Sequence, residues 1–337
     1  MNELITLAHG SGGGAMQQLI QDVFIQSFSN TELDKLEDQA RISLPALQLA
    51  GNRLAFSTDS YVIDPIFFPG GDIGKIAVCG TANDVAMSGA RPEYLSCGFI
   101  LEEGLPIAVL KQVVQSMADT AAQIGIKIVT GDTKVVPKGA VDKLFINTSG
   151  LGVIPQGIDY GADKIQPGDQ VIVSGTIGDH GATILNLREK LGIEGNLSSD
   201  CQHLYPVVAA LKNIQGVRAL RDATRGGVNA VLHEFCSSSG CGITVSESQL
   251  PISSQVRGIC ELLGLDPINF ANEGKLIAVV TKEDAEDALA AMRITAEGEN
   301  AAIIGEVNDQ RRVTLSGLFG GTRRLDLPSF EPLPRIC

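Results

Sequence analysis

The feature that most constrains the fold is the alternation of short apolar strand patterns with longer helical patterns along the 337-residue chain. A strand pattern at 54–57 precedes a helical pattern at 73–90. A second helical pattern, at 107–124, stops at Gly125 and is followed by a strand pattern at 126–129. Glycine occurs 38 times and separates many of these segments. Alternation of this kind is typical of mixed α/β (α+β) proteins, and we expect that class here.

Chain length and local composition together predict two domains. A single hydrophobic core rarely serves more than about 250–300 residues, and the turn-rich stretch at 157–168 interrupts the pattern. We therefore expect an N-terminal domain at 1–160 and a C-terminal α/β domain at 161–325. Three prolines in 326–337 oppose both helix and interior strand, so that segment is predicted to be a flexible tail.

Charge and composition exclude several classes of function. Asp and Glu number 39 against 26 Lys and Arg, so the net charge of −13 would repel nucleic acid. No uninterrupted apolar run approaches the roughly 20 residues that span a bilayer, and the N-terminus lacks a signal-peptide pattern, so we expect a cytoplasmic protein with no membrane partner. The seven cysteines include no CxxC pair, which argues against disulfides and zinc.

A glycine-rich loop, His9 to Gly14, precedes a predicted helix. Backbone N–H groups of such a loop can approach a phosphate, and Gly12 and Gly13 are the candidates for this role. The loop lacks the GK[ST] sequence of a Walker motif. A flexible N-terminal loop explains it about equally well.

Several separate aspartates could hold a metal ion and a nucleotide. Asp84 falls on the apolar stripe of the predicted helix, where an unneutralised carboxylate would be costly. Magnesium bound to polyphosphate would neutralise it, because Mg²⁺ prefers oxygen ligands. Turn and capping roles are the alternative for each residue taken singly. The candidates are Asp38, Asp59, Asp84, Asp132 and Asp222.

Two further residues could take part in proton transfer or phosphate binding. Lys134 follows Asp132 by two positions, so both side chains share a face if the segment is extended. Glu273 precedes a glycine and an apolar strand pattern. A glutamate at such a turn is ordinarily solvated, but it is also a candidate general base.

The chain ends in Pro-Arg-Ile-Cys, with Cys337 as the last residue. Ten residues in extended, proline-stiffened form reach on the order of 30 Å, which is enough for an arm that carries a group on its thiol. A disordered end with an incidental cysteine is the alternative.

Six segments carry a resemblance to one known family. They are HGSGGGAM, FSTDSYVIDPIFFPGGDIGKIAVCGTANDVAMSGA, VTGDTKVV, RDATRGGVNAVLHE, NFANEGKL and the terminal PRIC. The chain resembles the HypE family of hydrogenase maturation proteins from its N-terminal loop to its last residue. The glycine-rich and aspartate motifs are shared with aminoimidazole ribonucleotide synthetase, selenophosphate synthetase and thiamine-monophosphate kinase, whereas PRIC is specific to the HypE family.

The resemblance implies a two-domain aminoimidazole-ribonucleotide-synthetase-like fold. It also implies a homodimer whose N-terminal sheets join in a barrel-like interface, with ATP and Mg²⁺ as cofactors. In such proteins HypF transfers a carbamoyl group to the C-terminal cysteine, ATP-dependent dehydration turns the thiocarboxamide into a thiocyanate, and the HypC–HypD complex receives the cyanide for the iron of [NiFe]-hydrogenase.

The resemblance also assigns roles to individual positions. It implies catalytic roles for Cys337, Lys134 and Glu273. The implied nucleotide-binding residues are Gly12, Gly13, Asp59, Asp84, Asp132, Thr133, Asn147 and Asp222. The implied metal ligands are Asp38, Asp59, Asp84 and Asp222. Asp38 stands in EDQA, where relatives often have two consecutive aspartates.

Two other functions remain open at this point. One is an ATP-gated scaffold for metallocentre assembly, in which the tail is only a partner motif and its sulfur undergoes no chemistry. The other is a small-molecule kinase or synthetase of the wider family, which would have no use for PRIC.

Overall fold

The computed structural model describes residues 4–37, 39–193, 195–328 and 335–337. Within them the chain forms two main β-sheets with helices packed on both, which confirms the predicted α/β class. No helix in the described part of the chain is both long and apolar enough to cross a membrane.

The N-terminal half is organised around a four-stranded sheet of order β1-β6-β4-β5, in which only β4 and β5 are parallel. Strands β2 and β3 form a separate small hairpin. The strands are β1 (Arg53–Tyr61), β2 (Phe67–Phe68), β3 (Gly71–Asp72), β4 (Arg91–Glu102), β5 (Lys127–Val136) and β6 (Leu144–Ile154).

Helices cover one face of this sheet. The helices are α1 (Gly14–Leu19), α2 (Gln26–Phe28), α3 (Leu44–Gln48), α4 (Ile73–Ala86) and α5 (Ile107–Ile124), with a π-helical stretch, Ile20–Ile25, between α1 and α2. Helix α4 packs on β1, β4 and β6, and α5 packs on α4. The Asp72 carboxylate caps α4 by accepting hydrogen bonds from the Gly74 and Lys75 N–H groups. At the end of α5, Gly125 takes the left-handed conformation (φ 74°).

The C-terminal half contains a seven-stranded sheet of order β13-β12-β9-β11-β7-β10-β8. Its strands are β7 (Gln170–Val173), β8 (Val217–Asp222), β9 (Gly242–Ser246), β10 (Leu276–Val280), β11 (Ala302–Asn308), β12 (Val313–Ser316) and β13 (Thr322–Arg324). Its helices are α6 (Asp179–Glu189), α7 (Tyr205–Leu211), α8 (Gly227–Ser239), α9 (Ser254–Leu263) and α10 (Ala285–Arg293). Side chains of α8 share a buried cluster with one face of the sheet, and those of α7 and α10 share one with the other face.

The two halves are joined by a shared core. Buried residues of α6 and α9 belong to the same hydrophobic cluster as α4 and α5, and Met87 at the end of α4 packs into the cluster of α7 and α10. The predicted division near residue 160 therefore separates the two sheets but not the cores. The domain boundaries themselves stay a prediction.

Two strands are longer than the sequence predicted. The strand expected to end at Ser57 continues through Asp59 to Tyr61, because β1 pairs with β6 over nine residues. Likewise, β5 extends to Val136 and includes Asp132, since it pairs with β4 continuously from Thr130 to Val136. Asp59 and Asp132 are thus strand residues and not turn residues, because ladder pairing overrides the local turn preference of aspartate.

Candidate active site

Three of the predicted aspartates come together where the two halves of the protein meet. Asp59 on β1, Asp84 on α4 and Asp222 at the end of β8 line an open polar cavity of about 210 Å³. Arg221 and Arg225 also line it. Glu234, which forms an ion pair with Arg221, lines it as well, so the cavity brings four carboxylates and two guanidinium groups to one surface.

Strand alternation explains why Asp59 points into this cavity. Residues 57, 59 and 61 face helix α4: the Ser57 hydroxyl donates to Asp84 Oδ2 at 2.8 Å, and the Tyr61 hydroxyl lies 3.0 Å from Thr81 Oγ1. The Asp59 carboxylate lies 3.7 Å from Arg225. The end of β8 therefore contributes Asp222 and Arg221, and the turn between β8 and α8 contributes Arg225.

Burial and mutual repulsion raise the pKa values of two of these carboxyls. Burial raises the pKa of Asp222 to about 7, and the charge of Asp84 adds to the effect. Burial is also the main cause that raises the pKa of Asp84, although the Ser57 hydrogen bond opposes it. A bound cation would favour the ionised forms, since opposite charge nearby lowers a carboxyl pKa.

The aspartates suit Mg²⁺ held jointly with a polyphosphate. In the described part of the chain, no three His, Cys, Asp or Glu side chains lie close enough to hold a metal ion by themselves. Magnesium commonly takes one or two carboxylates and completes its octahedral shell with phosphate oxygens and water. The hard oxygen donors of Asp59, Asp84 and Asp222 fit that arrangement. Asp38, the fourth predicted ligand, lies outside the described residues.

Other predicted site residues lie on the opposite, open face of the sheet. Asn147 pairs with Gly98 and Gly98 with Asp132, which places Asn147 and Asp132 in one row across the strands. Lys134 lies 3.3 Å from Asp132 Oδ2, and both side chains are exposed. The predicted common face of Asp132 and Lys134 is confirmed. The sheet separates both residues from the cavity of Asp59, which the sequence does not predict.

The glycine loop and Thr133 do not line the aspartate cavity. Gly12 has a φ of 79°, and Gly13 is the N-cap of the six-residue helix α1. The preceding Gly10 packs so closely on β5 that an added Cβ would lie 2.9 Å from Val135 Cβ. Thr133 is buried on the helix-covered face, where it lines a separate cavity of about 120 Å³.

Glu273 is buried, which overturns the expectation of a solvated turn residue. It is 3% exposed, and its Oε1 has no hydrogen-bond partner among the described residues. Its backbone N–H donates to Asp200 Oδ1 at 3.0 Å, and the buried Lys275 ammonium lies 3.2 Å from Asp200 Oδ2. Burial raises the pKa of Glu273 well above its usual value, and the charges of Asp200 and Asp222 raise it further.

The chain terminus is docked beside this site. Of the predicted tail, residues 329–334 lie outside the described part of the chain, but Arg335–Cys337 pack against the end of β1. The Val62 N–H donates to a carboxylate oxygen of Cys337 at 3.1 Å, and Ile336 is 2% exposed in the N-terminal core. Arg335 forms an ion pair with Asp142 at 2.8 Å.

The docked terminus is connected to Glu273 by an electrostatic effect and to Lys134 through neighbouring strands. Burial raises the pKa of Tyr61, which immediately precedes Val62, and the charges of Asp59 and Glu273 add to this effect, so Glu273 lies within electrostatic range of β1's end. On the other side, the Arg335 guanidinium lies 5.9 Å from the centre of the Phe145 ring. Phe145 pairs with Ile100, which pairs with Lys134. Lys134 is thus two strands away from Phe145, or about 10 Å at ordinary strand spacing.

Comparison with known proteins agrees with this architecture. The profiles of the AIR synthase related protein N-terminal and C-terminal domains match residues 37–154 and 166–317. The chain is 64% identical to the carbamoyl dehydratase HypE of Escherichia coli K12, with 99% of each protein covered. It is 51% identical to that of Azotobacter vinelandii, covering all of this chain and 98% of the relative.

Solved structures give the same result. The crystal structure of E. coli HypE aligns with a TM-score of 0.93 at 63% identity, covering 96% of this chain and all of that one. A HypE structure in complex with ATP aligns with a TM-score of 0.93 at 47% identity, covering 98% and 99%. A chain of a HypE–HypF complex aligns with a TM-score of 0.80 at 44% identity, covering 92% and 99%. Motifs, fold and near full-length identity thus agree, and the chain belongs to the HypE family of carbamoyl dehydratases, which act in hydrogenase maturation.

Proposed function

We propose that this protein dehydrates a thiocarboxamide carried on its own Cys337 to a thiocyanate, using ATP and Mg²⁺. The observation that carries the proposal is the docking of the last residue at the end of β1, the strand that also bears Asp59. A docked C-terminal cysteine beside a cavity lined by carboxylates is the arrangement that chemistry on the terminal sulfur requires. A small-molecule kinase would gain nothing from burying its C-terminus there.

The proposed nucleotide-binding residues lie on both faces of the sheet. Asp59, Asp84 and Asp222 are the proposed groups for magnesium and phosphate. Arg221 and Arg225, which pair with Glu234 and Asp59, are the proposed cations for the phosphate charge. A metal-bound ATP supplies a phosphoryl group that turns the amide oxygen into a leaving group. Further proposed nucleotide-binding residues are Gly12, Gly13, Asp132, Thr133 and Asn147. If a second copy joined its sheet face to face with this one, the open face would be brought into the shared interface.

We propose that Lys134 and Glu273 assist the proton transfers of this reaction. As the carboxamide oxygen accepts the phosphoryl group, the carboxamide nitrogen loses one proton. The C–O bond then breaks, and phosphate leaves with the electrons of that bond. Loss of the second N–H proton completes the C≡N bond. Overall, the thiocarboxamide loses the elements of one water, and these are consumed as ATP is converted to ADP and phosphate. Glu273 suits the acceptor role because a carboxylate with a raised pKa is a stronger base.

The partners follow from the same proposal. A HypE–HypF complex among the relatives supports HypF as the carbamoyl donor for this chain. We propose that the cyanide then passes to HypC–HypD for the iron of [NiFe]-hydrogenase, and that the protein acts in the cytoplasm.

The open face of the N-terminal sheet supports a homodimer. Phe56 is 73% exposed and Leu54 is 53% exposed on this face. Across the sheet, Phe56 pairs with Leu151 and Leu151 with Tyr94, so apolar side chains extend over three strands. Contiguous exposed apolar surface of this kind marks interaction sites, and a second copy of the sheet is its proposed partner.

We expect Cys337→Ala to abolish carbamoyl loading by HypF while leaving ATP binding unchanged, because the substitution removes only the carrier thiol. Intact-mass spectrometry checks both steps: loaded wild-type protein should lose the mass of one water on addition of Mg-ATP. Cys236→Ala, at a half-buried cysteine, is the matched control and should load normally. Constant mass of the loaded protein during ATP turnover would favour the ATP-gated scaffold instead.

Asp84→Asn and Asp222→Asn should each weaken Mg-ATP binding by about tenfold or more, or at least about 1.4 kcal/mol, since each removes a hard anionic ligand. Isothermal titration calorimetry measures the change. Asp287→Asn, at an exposed aspartate on α10, should have no effect. Equal affinities in all three variants would remove these aspartates from the nucleotide site.

Glu273 should give the dehydration rate a pH dependence. A base must be deprotonated, so a raised pKa means that activity falls as pH drops through a value well above the usual pKa of glutamate. Single-turnover rates from pre-loaded protein across pH test this, and Glu273→Gln should lose dehydration but retain loading. A pH-independent rate, or an active Gln variant, would exclude Glu273 as the base.

Phe56→Lys should convert the dimer to monomer, because it places a charge in the centre of the proposed sheet-to-sheet contact. Analytical ultracentrifugation gives the mass in solution. Phe319→Lys is the control, since Phe319 is fully exposed in the turn between β12 and β13 and away from this face. An unchanged mass for Phe56→Lys would place the subunit contact elsewhere.

A further inference from the structure

A buried histidine contacts the docked terminus directly. His180, in the first turn of α6, has no exposed surface. Its Nε2 lies 2.7 Å from the Ile336 carbonyl oxygen, and its Nδ1 lies 2.8 Å from Ser199 Oγ. The histidine therefore links the end of the chain to the segment that precedes α7.

These contacts determine which nitrogen carries the proton. A carbonyl oxygen only accepts hydrogen bonds, so Nε2 must be protonated. Ser199 Oγ already accepts a hydrogen bond from the Cys201 N–H at 3.1 Å, which leaves its own hydrogen to donate to Nδ1. The contacts are thus all satisfied by a neutral imidazole that donates from Nε2 and accepts at Nδ1.

The surroundings favour that neutral form. Burial lowers the pKa of His180, and the nearby Arg188 charge lowers it further, although the Ile336 contact and Asp200 oppose these effects. The Phe68 ring packs edge-on against the imidazole, with ring centres 5.5 Å apart. Backbone contact between the Ser199 N–H and the Pro69 carbonyl, at 2.8 Å, holds the serine in place.

The terminus is recognised mainly through its backbone. The Asp64 N–H donates to the Arg335 carbonyl at 3.4 Å, and the Val62 N–H donates to a carboxylate oxygen of Cys337, as in a short β-pairing. Carbonyl groups alternate in direction along such a pair, so the Ile336 carbonyl points away from Val62 and Asp64. His180 supplies the donor on that other side. We call this groove, formed by Val62, Asp64 and His180, the terminus slot.

We propose that His180 is a positioning residue for the carrier thiol. Its Nε2–H donates to the Ile336 carbonyl and so keeps Cys337 in the terminus slot during dehydration. This inference rests on the proposed function for its catalytic consequence, but the docking itself does not. Without the donor, the Ile336 carbonyl is unsatisfied only when docked, since the released tail is hydrated. Loss of the donor should therefore shift the tail from docked to released.

The test compares His180→Leu with His180→Gln in the full-length protein. Leucine removes the donor, whereas the glutamine amide can place an N–H near the position of Nε2. The first measurement is the rate at which iodoacetamide alkylates Cys337, assigned by peptide mass spectrometry. Relative to wild type, we expect His180→Leu to raise that rate by about tenfold, as one lost buried hydrogen bond predicts, and His180→Gln to stay near wild type.

The second measurement is single-turnover dehydration after loading by HypF. His180→Leu should dehydrate more slowly by a similar factor, with loading and ATP affinity unchanged, and His180→Gln should restore the rate. Equal alkylation rates in wild type and the Leu variant, or a Gln variant no better than Leu, would overturn the positioning role. If loaded wild-type protein showed no dehydration, the proposed function would fail, while the alkylation result would still decide the slot.

A measurement on the wild type covers the case in which His180→Leu does not fold. Nitrogen-15 NMR of the histidine side chains distinguishes the tautomers. A neutral ring with the proton on Nε2 supports the assignment. A ring protonated on Nδ1 alone could not donate to the Ile336 carbonyl, and that result would overturn it.

Discussion

The alternation of side chains along β1 is the constraint on which the rest of the site depends. Nine residues of β1 pair with β6, so the direction of every side chain from Arg53 to Tyr61 is set by a single register. That register turns Phe56 towards the open face and Asp59 towards helix α4. It also ends the strand so that the next N–H, that of Val62, can pair with the chain terminus. We therefore propose that one strand serves the subunit contact, the metal site and the docking of the carrier cysteine. A shift of the β1–β6 register by one residue would disturb all three.

A second constraint is the concentration of negative charge at the junction of the two halves. Asp84, Asp222 and Glu273 all have raised pKa values, with burial as the leading cause and neighbouring carboxylates adding to it. Repulsion among such groups costs stability in a chain whose net charge is already −13. Cations at the cavity, whether from Arg225 or from bound magnesium, lower that cost. Nucleotide with its metal should therefore stabilise the junction as well as supply the phosphoryl group.

Much of the fold and part of the site could be predicted from the sequence, for reasons that differ between residues. Alternating patterns correctly indicated the α/β class. Helical periodicity correctly placed Asp84 on a helix, but its half-buried side chain lines a polar cavity and not an apolar stripe. Asp59 was open to a turn interpretation, because a local window cannot report the long-range pairing with Thr148 that keeps it in a strand. Asp38 and residues 329–334, outside the described parts of the chain, remain predictions.

Other site residues gave no local signal at all. The burial of Glu273 results from the packing of both halves around it, and a turn-like sequence, NEGK, gave the opposite expectation. His180 was not identified, since a single histidine at the start of a helix carries no motif, and its contact lies 156 residues further along the chain. The flanking arginines of RDATRGG were visible in the sequence, but only the cavity geometry relates Arg221 and Arg225 to the aspartates.

The terminus slot has a consequence for the timing of the reaction cycle. Its hydrogen bonds hold main-chain oxygens of the last three residues, and Cys337, 9% exposed, belongs to the same hydrophobic cluster as Ile336. A partner protein cannot reach a sulfur atom that is buried in a packed core. The terminus must therefore leave the slot whenever its sulfur receives or hands over a group. Exchange with partners and shielding from water then alternate in time, and the same three residues serve both.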